Sequence, residues 1–358
     1  MITYIFKKVT YGALVLWGVL TLVFFLFNVL PGDPARMMLD KREDSNQLAI
    51  IKKKYGFDRS LGAQYALYLN DVLPLSIHHN STTAFTSLTN GKYQYAKLVS
   101  IADYILVFKV PYLGESFVRT GMPVTIILGN TFKNTFVLAL SSIVIALFLG
   151  LILGVFSALY KDAFIDKFIL FISVLGMSLP SFFTSIIIAW FFGFVLHEYT
   201  GLNMTGSLYE VDDYGRGSFL QIKNLILPAV TLGIRPLAVI IQLCRNSLLE
   251  VLSMDYVRTA TAKGLSKFTV IFKHSLSNAL NPVLTAVSGW FASMLAGAVF
   301  VEYIFAWNGI GKEIVDALNK MDLPVVMGSV LFIASIFVII NIIVDLIYGW
   351  LDPRIRLS

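Results

Sequence analysis

Charged residues are scarce in this chain: Asp, Glu, Lys and Arg make up 14% of its 358 residues, while apolar residues make up 57%. Soluble domains carry about 25% charged residues, so the composition indicates an integral membrane protein. Cysteine is almost absent, and the single Cys244 excludes an internal disulfide framework and a cysteine-based metal site. The four histidines lack the spacing of a metal site, and the adjacent pair His78 and His79 suggests one only weakly. We therefore expect no metal in this chain.

A phosphate-binding Gly-x4-Gly-Lys-Ser/Thr motif is also missing, because Gly309-Ile310-Gly311-Lys312 is too short to serve as one. No Ser-His-Asp set or acid pair is positioned for chemistry, so we expect no catalytic residue and no cofactor. The net charge of +6 does not indicate nucleic acid, since excess Lys and Arg in a membrane protein mostly reports its topology. If ATP is used, another subunit binds it.

Long apolar runs dominate what is present, and a spanning helix needs about 20 such residues. The runs lie at 10–30, 134–160, 168–196, 225–244, 283–301 and 325–350. The fourth run is interrupted by Arg235-Pro236. We therefore predict an all-α integral membrane protein with six transmembrane helices.

The charges of the short loops orient these helices, because cytoplasmic loops carry excess Lys and Arg. The 245–282 loop holds Arg245, Arg258, Lys263, Lys267 and Lys273 against Glu250 and Asp255, a net charge of +3. The 197–224 and 302–324 loops each have a net charge of −2. This pattern predicts that both termini and the 245–282 loop are cytoplasmic, and that residues 31–133 are extracytoplasmic.

Two regions follow from this topology. Residues 1–133 comprise the first helix and an extracytoplasmic cap region, and residues 134–358 comprise a five-helix core with a cytoplasmic loop at about 245–282. Within the cap region, residues 74–111 are rich in Ser, Thr, Asn, Tyr and Lys without a clear period. This composition predicts an irregular or partly strand-forming insert.

The stretch from Asp255 to Ser266 is a polar, basic segment between two apolar runs. It predicts two short helices that are broken at Gly264, since glycine permits the positive φ that ends a helix. A second amphipathic helix is expected from Lys267 to Ala279, leading back to the membrane. Asp255 is expected to be the N-cap, with its acid at the positive end of the first helix dipole. From residue types alone, the segment is either a surface that a cytoplasmic partner grips or a solvated loop.

Short segments along the chain resemble those of ATP-binding-cassette (ABC) importer permeases, in the B-type subunit of the dipeptide/oligopeptide (peptide/nickel) family. Each segment is weak alone, but their order and spacing together are specific. The segments are Leu30-Pro31-Gly32-Asp33-Pro34, Gly56-Phe57-Asp58-Arg59-Ser60-Leu61, Leu113-Gly114-Glu115-Ser116-Phe117, Gly176-Met177-Ser178-Leu179-Pro180-Ser181-Phe182, Arg245-Asn246-Ser247-Leu248-Leu249-Glu250, Val301-Glu302-Tyr303-Ile304-Phe305, Trp307-Asn308-Gly309-Ile310-Gly311, Asn341-Ile342-Ile343-Val344-Asp345 and Leu351-Asp352-Pro353-Arg354.

The resemblance implies a type I ABC importer permease fold, multi-pass in the bacterial plasma (inner) membrane and in contact with lipid. As partners it implies a second homologous permease subunit, two cytoplasmic ATPase subunits that hold ATP and Mg, and an extracytoplasmic substrate-binding protein. It also identifies the segment after residue 254 as the coupling loop to the ATPase. The coupling residues are Asp255, Tyr256, Val257, Arg258, Thr259, Ala260, Lys263, Gly264 and Leu265. Of these, Tyr256, Val257 and Ala260 are expected to face the partner's groove.

The chain departs from the family pattern in three places. Residues 74–111 separate segments that normally lie close together. Asn308 stands where proline is usual. Arg258-Thr259-Ala260 stands where general importers have Glu-Ala-Ala, so a Glu-mediated ATPase contact is not implied here.

Several small, polar or charged residues within the apolar runs are candidates for the translocation path or a gate. They are Ser178, Pro180, Ser181, Arg235, Ser288, Gly289, Ser293 and Asp345. Small residues equally serve close helix packing in membranes, so that explanation stays open. A charge at a helix centre costs about 2.5–3.5 kcal/mol by insertion scales, so Arg235 and Asp345 should face protein or water. Asp345, near the end of the chain, also fits a structural ion pair.

The leading hypothesis is therefore one permease half of an ATP-driven importer, which carries di- or oligopeptides by alternating access. An ion-gradient-driven secondary transporter is a second hypothesis, although no clear repeat between the halves supports it. The same importer class carrying nickel chelates is a third, because the binding protein largely selects the substrate. A membrane-embedded enzyme or signalling subunit would need a catalytic constellation that this sequence lacks.

Overall fold

A computed structural model describes residues 2–29, 45–81, 86–88, 92–211 and 217–351. The chain forms two compact units. The larger unit comprises residues 1–9, 131–315 and 335–358, and the smaller unit comprises residues 10–130 and 316–334. The motif at Leu30–Pro34 and most of the motif at Leu351–Arg354 lie outside the described residues. The division at residue 133 into a cap region and a five-helix core stays a prediction.

Helices make up most of the described chain. In chain order they are α1 (Ile2–Val29), α2 (Ser45–Tyr55), α3 (Leu61–Val72), α4 (Val124–Leu159), α5 (Phe164–Ser178), α6 (Ser181–Trp190, continued by a π-helical turn at Phe191–Val195), α7 (His197–Thr200), α8 (Lys223–Leu252), α9 (Asp255–Ala262), α10 (Lys267–Thr269, continued by a π-helical turn at Val270–Ser275), α11 (Leu276–Ala279), α12 (Asn281–Gly297), α13 (Val299–Ile304), α14 (Ile310–Asn319) and α15 (Leu323–Leu351). Helices α1, α4, α14 and α15 contribute residues to both units.

The longest helices confirm the membrane character of the chain. Within the described ranges, α1, α4, α8 and α15 are long and apolar enough to cross a membrane, and α5 with α6 would add a fifth span. The fifth predicted run corresponds to α12, which has 17 residues and ends before Ala298. It is therefore shorter than the roughly 20 residues that a straight span needs. The structure thus supports four or five spans by length, and the count of six stays a prediction.

Two details of the predicted spans were wrong. The third run is not one straight helix, because α5 ends at Ser178 and α6 starts at Ser181 with a bend of 109°. The fourth run is not interrupted at Arg235-Pro236, because α8 continues through both Pro228 and Pro236. Proline is tolerated inside membrane helices where surrounding groups satisfy the freed backbone carbonyl.

Helices α4 and α8 of the larger unit cross closely through two glycines that are one turn apart. A Cβ at Gly150 would lie 2.6 Å from Ile240 Cγ2, and one at Gly154 would lie 2.7 Å from Cys244 Cβ. Both Ile240 and Cys244 are completely buried. Glycines four residues apart let helix backbones approach closely in membranes, where packing replaces the hydrophobic driving force.

A three-stranded antiparallel sheet in the smaller unit lies within the predicted 74–111 insert. Its strands β1 (Leu75–His79), β2 (Tyr95–Ile101) and β3 (Tyr104–Lys109) have the order β1-β3-β2. Every second residue of β3 is buried, namely Ile105, Val107 and Lys109. Of the two expectations for this segment, the structure therefore supports partial strand formation.

The two adjacent histidines at the end of β1 have structural contacts. His78 is completely buried, and its Nδ1 donates to the Thr86 carbonyl at 2.9 Å. Its Nε2 accepts from the Ser76 hydroxyl at 2.9 Å, and burial lowers the pKa of the imidazole. His79 Nδ1 accepts from the Ser81 amide at 3.0 Å. Both side chains thus fix the local backbone through hydrogen bonds.

A partly buried polar cluster surrounds the Asp71 carboxylate in the smaller unit. This carboxylate accepts from Lys92 Nζ at 2.9 Å and from the Tyr93 hydroxyl at 2.6 Å. Lys109 is 2% exposed, donates to the Asp71 carbonyl, and places its Nζ 4.8 Å from the Tyr93 ring centroid. Burial lowers the pKa of Lys109 from 10.5 to about 8 and raises the pKa of Tyr93 above its ordinary 10.

We expect the sheet to become more stable as the pH rises from about 8 to about 10. Between these values the unfolded chain holds the Lys109 proton more tightly than the folded protein, so the free energy of unfolding rises with pH. The gain is about 1 to 3 kcal/mol, and above pH 10 ionisation of Tyr93 in the unfolded chain opposes it. Hydrogen–deuterium exchange of the β3 amides, corrected for intrinsic rates, measures this gain.

Replacing Lys109 by Met should flatten this pH dependence, because the titrating group is gone. Lys97→Met in β2 is the matched control, since Lys97 is exposed. A Lys109→Met protein with the same rise in protection as the wild type would contradict the assignment to Lys109.

Candidate functional site

The predicted coupling loop has the expected two-helix form. Helix α9 spans Asp255–Ala262, and Gly264 follows with a φ of +80° before α10 begins at Lys267. The Gly264 amide donates to the Thr261 carbonyl at 3.0 Å, which closes the end of the helix. The prediction of a helix break at Gly264 is thus confirmed. The predicted N-cap residue of α9 was wrong, because Met254 is the N-cap and Asp255 is the first helical residue.

One side of α9 packs into the larger unit. Val257 and Ala260 are 4% and 9% exposed and join a buried cluster with Val155, Ala158 and Val270. This corrects the expectation that Val257 and Ala260 face a partner. Residues three apart lie on one face of a helix, and here that apolar face is already covered by this chain. These two side chains therefore anchor the loop to the helix bundle.

The opposite side of α9 and the turn after it are open. The exposed coupling residues are Asp255, Tyr256, Arg258, Thr259, Lys263, Gly264 and Leu265. Tyr256 is 40% exposed, and its hydroxyl accepts from Asn278 Nδ2 at 2.8 Å. The surface that a partner can contact is thus polar and basic, with Tyr256 and Leu265 as its larger apolar groups.

The return segment of the loop is helical from Lys267 to Ala279, as the sequence predicts, but it contains a π-helical turn at Val270–Ser275. Within that turn, the Ser275 hydroxyl donates to the Val270 carbonyl at 2.9 Å. Ser266 caps the start of the segment by accepting from the Thr269 amide at 3.3 Å. Such π turns are rare and occur often at functional sites.

A buried ion pair joins α8 to the start of α5. Its arginine, Arg245, lies ten residues before the coupling loop begins at Asp255. Arg245 Nε and Nη2 donate to the two Asp166 carboxylate oxygens, each at 2.7 Å. Ser157 donates to the same carboxylate, and so does the Asp162 amide at 2.9 Å. The Arg245 and Asp166 side chains are 15% and 2% exposed. The pair is bidentate, which is the strongest and most directional arginine–carboxylate geometry.

A cavity of about 100 Å³ lies in the larger unit at the bend between α5 and α6. Three of the predicted path residues line it, namely Ser181, Arg235 and Ser293. The rest of the lining consists of Gly176, Leu179, Thr184, Thr231, Leu232, Ile234, Trp290, Met294 and Val301. The structure thus brings the bend, α8 and α12 together around one partly polar cavity.

Arg235 supplies the charge of this cavity. Its Nη2 donates to the Leu179 carbonyl at 3.3 Å, across the bend. Its side chain remains exposed in this chain, and no carboxylate within the described ranges pairs with it. The guanidinium therefore has donors available for another group.

The remaining predicted path residues lie elsewhere. Ser178 donates to the Val174 carbonyl at 2.8 Å and Ser288 to the Leu284 carbonyl at 3.0 Å, both within their own helices. Ser178, Pro180, Ser288 and Gly289 are not among the residues that line the cavity. Asp345 forms an ion pair with Lys8 at 2.7 Å, which agrees with a structural role at the ends of α1 and α15.

A second buried carboxylate organises the segment after α13. Glu302 is completely buried and accepts from Thr135 Oγ1 at 2.7 Å and from the Gly311 amide at 2.6 Å. Thr135 Oγ1 in turn accepts from the Ile310 amide at 2.9 Å. A Cβ at Gly309 would lie 2.4 Å from the Glu302 carboxylate. The motif residues Glu302, Gly309 and Gly311 therefore belong to one core. Glu302 accepts the hydrogen bond from Gly311, and Gly309 leaves the space that its carboxylate fills.

Sequence reasoning missed several of these residues. Thr184, Thr231 and Trp290 line the cavity, but nothing in their spacing separates them from ordinary helix positions. Asp166 was not singled out, although an acid at the edge of an apolar run is a signal that it needs a partner.

These features define a class: a helical integral membrane protein with a partly polar cavity at a bent helix pair and an exposed basic loop that is anchored to the helices by its apolar face. The binding-protein-dependent transport system inner membrane component family matches residues 149–357, and the N-terminal model of the same transport systems matches residues 1–89. The chain belongs to this family of permease subunits, which are not themselves enzymes.

Curated relatives agree with this assignment. The dipeptide transport system permease protein DppB of Alkalihalophilus pseudofirmus is 32% identical over 99% of this chain and 100% of its own length. The di/tripeptide transport system permease protein DppB of Pseudomonas aeruginosa is 33% identical over 99% of both chains. The dipeptide transport system permease protein DppB of Haemophilus influenzae is 40% identical over 68% of this chain and 76% of its own length.

Proposed function

We propose that this chain is a permease subunit of an ABC importer for peptides and forms one half of the translocation path. The names of its full-length relatives support dipeptides, di/tripeptides and oligopeptides as the substrate class. The family description supports delivery by a binding protein. A second permease, two ATPase subunits with ATP and Mg, and an extracytoplasmic substrate-binding protein complete the proposed assembly.

The proposed topology has six spans with both termini in the cytoplasm. It counts α1, α4, the bent pair α5–α6, α8, α12 continued by α13, and α15. A span through α12 and α13 gains the length that α12 lacks alone. The net charge of +3 on residues 245–282 supports the cytoplasmic side for the coupling loop.

The two-sided structure of α9 is the observation that carries the coupling mechanism. Its inner face is fixed to α4, α8 and the π-helical return segment through Val257 and Ala260, while Arg258 and Lys263 are exposed. A force that an ATPase applies to the exposed side would therefore reach the helix bundle directly. Nucleotide and loaded binding protein would bias the same inward–outward equilibrium from opposite sides.

Recovery of the partners is the direct test of the assembly. The tagged permease, purified in mild detergent, should carry two ATPase chains and a second permease, and uptake in proteoliposomes should require ATP. A lone protein that moves solute without ATP would overturn the proposal in favour of an ion-gradient-driven transporter.

Changing Gly264 to Pro should uncouple ATP hydrolysis from transport. Proline has a φ near −65° and lacks an amide hydrogen, so it fits neither the φ of +80° nor the bond to Thr261. We expect peptide uptake to fall about tenfold or more, while the permease still folds and inserts. Uptake and ATPase stimulation by loaded binding protein measure the effect.

Gly121→Pro is the matched control. Gly121 has a φ of +76°, and like Gly264 it has open space around its Cβ position, but it lies in the smaller unit. It imposes the same backbone strain at a turn outside the coupling loop, so coupling should persist. Wild-type transport by the Gly264→Pro protein would refute the role of this turn.

A further inference from the structure

Arg235 lies near the centre of the long helix α8. Helix α8 spans Lys223–Leu252, so Arg235 is two to three residues from its midpoint. A guanidinium at that depth cannot face lipid without a large penalty. Its side chain is nevertheless exposed in this chain and borders the cavity at the α5–α6 bend. In the assembled transporter the guanidinium must therefore face the cavity, water or the second permease rather than lipid.

Among the residues that the structure describes, none around Arg235 compensates its charge. The residues lining the cavity include the hydroxyl groups of Ser181, Thr184, Thr231 and Ser293 but no acidic side chain. Within the described part of the chain, Glu302 follows the lining residue Val301, but its carboxylate is completely buried and already bound to Thr135 and Gly311. The cavity is thus a positively charged site with neutral hydroxyl groups around it.

We propose that Arg235 binds the C-terminal carboxylate of a peptide during its passage through the permease. This inference rests on the proposed function, because it takes a peptide as the transported molecule. The α-carboxylate is the one anion that every unmodified peptide carries, whatever its side chains. Recognition at this atom group would let one site serve peptides of different sequence.

The chemistry of the guanidinium fits this role. Arginine presents five donors in a planar fork that matches a carboxylate. The long bond to the Leu179 carbonyl at 3.3 Å occupies one of these donors, which leaves the others for the ligand. The N-terminal ammonium of the same peptide would be repelled, so the site orients the peptide. Trp290 adds an aromatic surface beside the charge.

The test compares a free dipeptide with its C-terminal amide in proteoliposomes that contain the complete transporter. Arg235→Gln should lower uptake of the free peptide by about tenfold to a hundredfold, since the lost bond involves two charges. Uptake of the amide should change little. The same binding protein serves both variants, so its own preference cancels in the ratio.

Gln242→Leu is the control variant. Gln242 lies two turns further along α8, contacts Met177 through its amide at 3.6 Å, and does not line the cavity. It should leave the ratio of free-peptide to amide uptake unchanged. Equal loss of both substrates in Arg235→Gln would overturn the carboxylate assignment, whereas failure of the wild-type assembly to take up any peptide would instead refute the proposed function.

Chemical rescue gives a second readout that does not depend on amide transport. Cys244 is the chain's single cysteine and is completely buried. The cysteine introduced by Arg235→Cys is therefore the accessible thiol of this chain. With partner subunits free of accessible cysteine, a thiosulfonate that attaches an aminoethyl group should restore much of the free-peptide uptake. Rescue by an uncharged methyl reagent to the same extent, or no rescue by either reagent, would overturn the proposal.

Discussion

Replacing Arg245 by Leu should be among the most damaging single changes in this protein. It would leave the Asp166 carboxylate, which is 2% exposed, without its bidentate partner. Breaking one side of a buried ion pair costs about 3–5 kcal/mol, because an uncompensated charge stays buried. We expect the purified permease to unfold at a clearly lower temperature in detergent and to accumulate poorly in the membrane.

Two further variants test this explanation. Arg258→Leu breaks an exposed pair with Asp255 at 3.7 Å, whose side chains are 73% and 97% exposed, and exposed pairs contribute about 0–1 kcal/mol. It should therefore leave the stability of the isolated permease almost unchanged. Adding Asp166→Asn to Arg245→Leu should recover part of the loss, because the buried charge is removed. An Arg245→Leu protein that unfolds at the same temperature as the wild type would refute a stabilising role for the pair.

Replacing Glu302 by Ala should have a comparable effect on the segment after α13. The carboxylate satisfies Thr135 and the backbone amides of Gly311 and Lys312 at 2.7, 2.6 and 3.3 Å. Each buried donor that loses its acceptor costs about 1–3 kcal/mol. We expect a lower unfolding temperature, together with faster hydrogen–deuterium exchange at residues 310–315, the first turns of α14.

Glu302→Gln and Glu250→Ala separate the causes of this effect. Glutamine keeps the size of the side chain and can keep an oxygen toward the amides of Gly311 and Lys312, but its NH2 group then replaces the acceptor of the Thr135 hydroxyl, so it should give an intermediate loss. Glu250 is exposed near the end of α8, and its replacement should change neither stability nor exchange. Unchanged exchange at residues 310–315 in Glu302→Ala would contradict the role of the carboxylate in holding α14.

The coupling loop shows how far local sequence signals reach. The break at Gly264 and the helical return from Lys267 follow from residue chemistry that acts within a few positions, and the structure has both. Which face of α9 is free could not be read from the same residues. Val257 and Ala260 suit a partner's groove and this chain's own core equally well, and only the packing around Val155 and Val270 decides between them.

The candidate path shows the same division. Ser181, Arg235 and Ser293 stood out because polar groups are unusual in apolar runs, and the cavity unites them. Ser288 and Gly289 stood out for the same reason but lie outside the lining. The Ser288 hydroxyl bonds within its own helix, and the small Gly289 suits close helix packing. Small and polar residues mark packed helices and translocation paths alike, so the sequence does not separate the two.

By itself, the sequence determined that this is a helical membrane protein of a known transport family, and where its polar loop breaks. Those properties depend on apolar length, local turn chemistry and ordered motifs, all of which are local along the chain. Only the tertiary structure decided the bend of 109° between α5 and α6, the pairing of Arg245 with Asp166, and the burial of Glu302 beneath Gly309. The Arg245–Asp166 pair and the bond from Thr135 to Glu302 join residues 79 and 167 positions apart, and the bend forms a cavity only together with α8 and α12. Such contacts depend on the packing of whole helices, which no local pattern specifies.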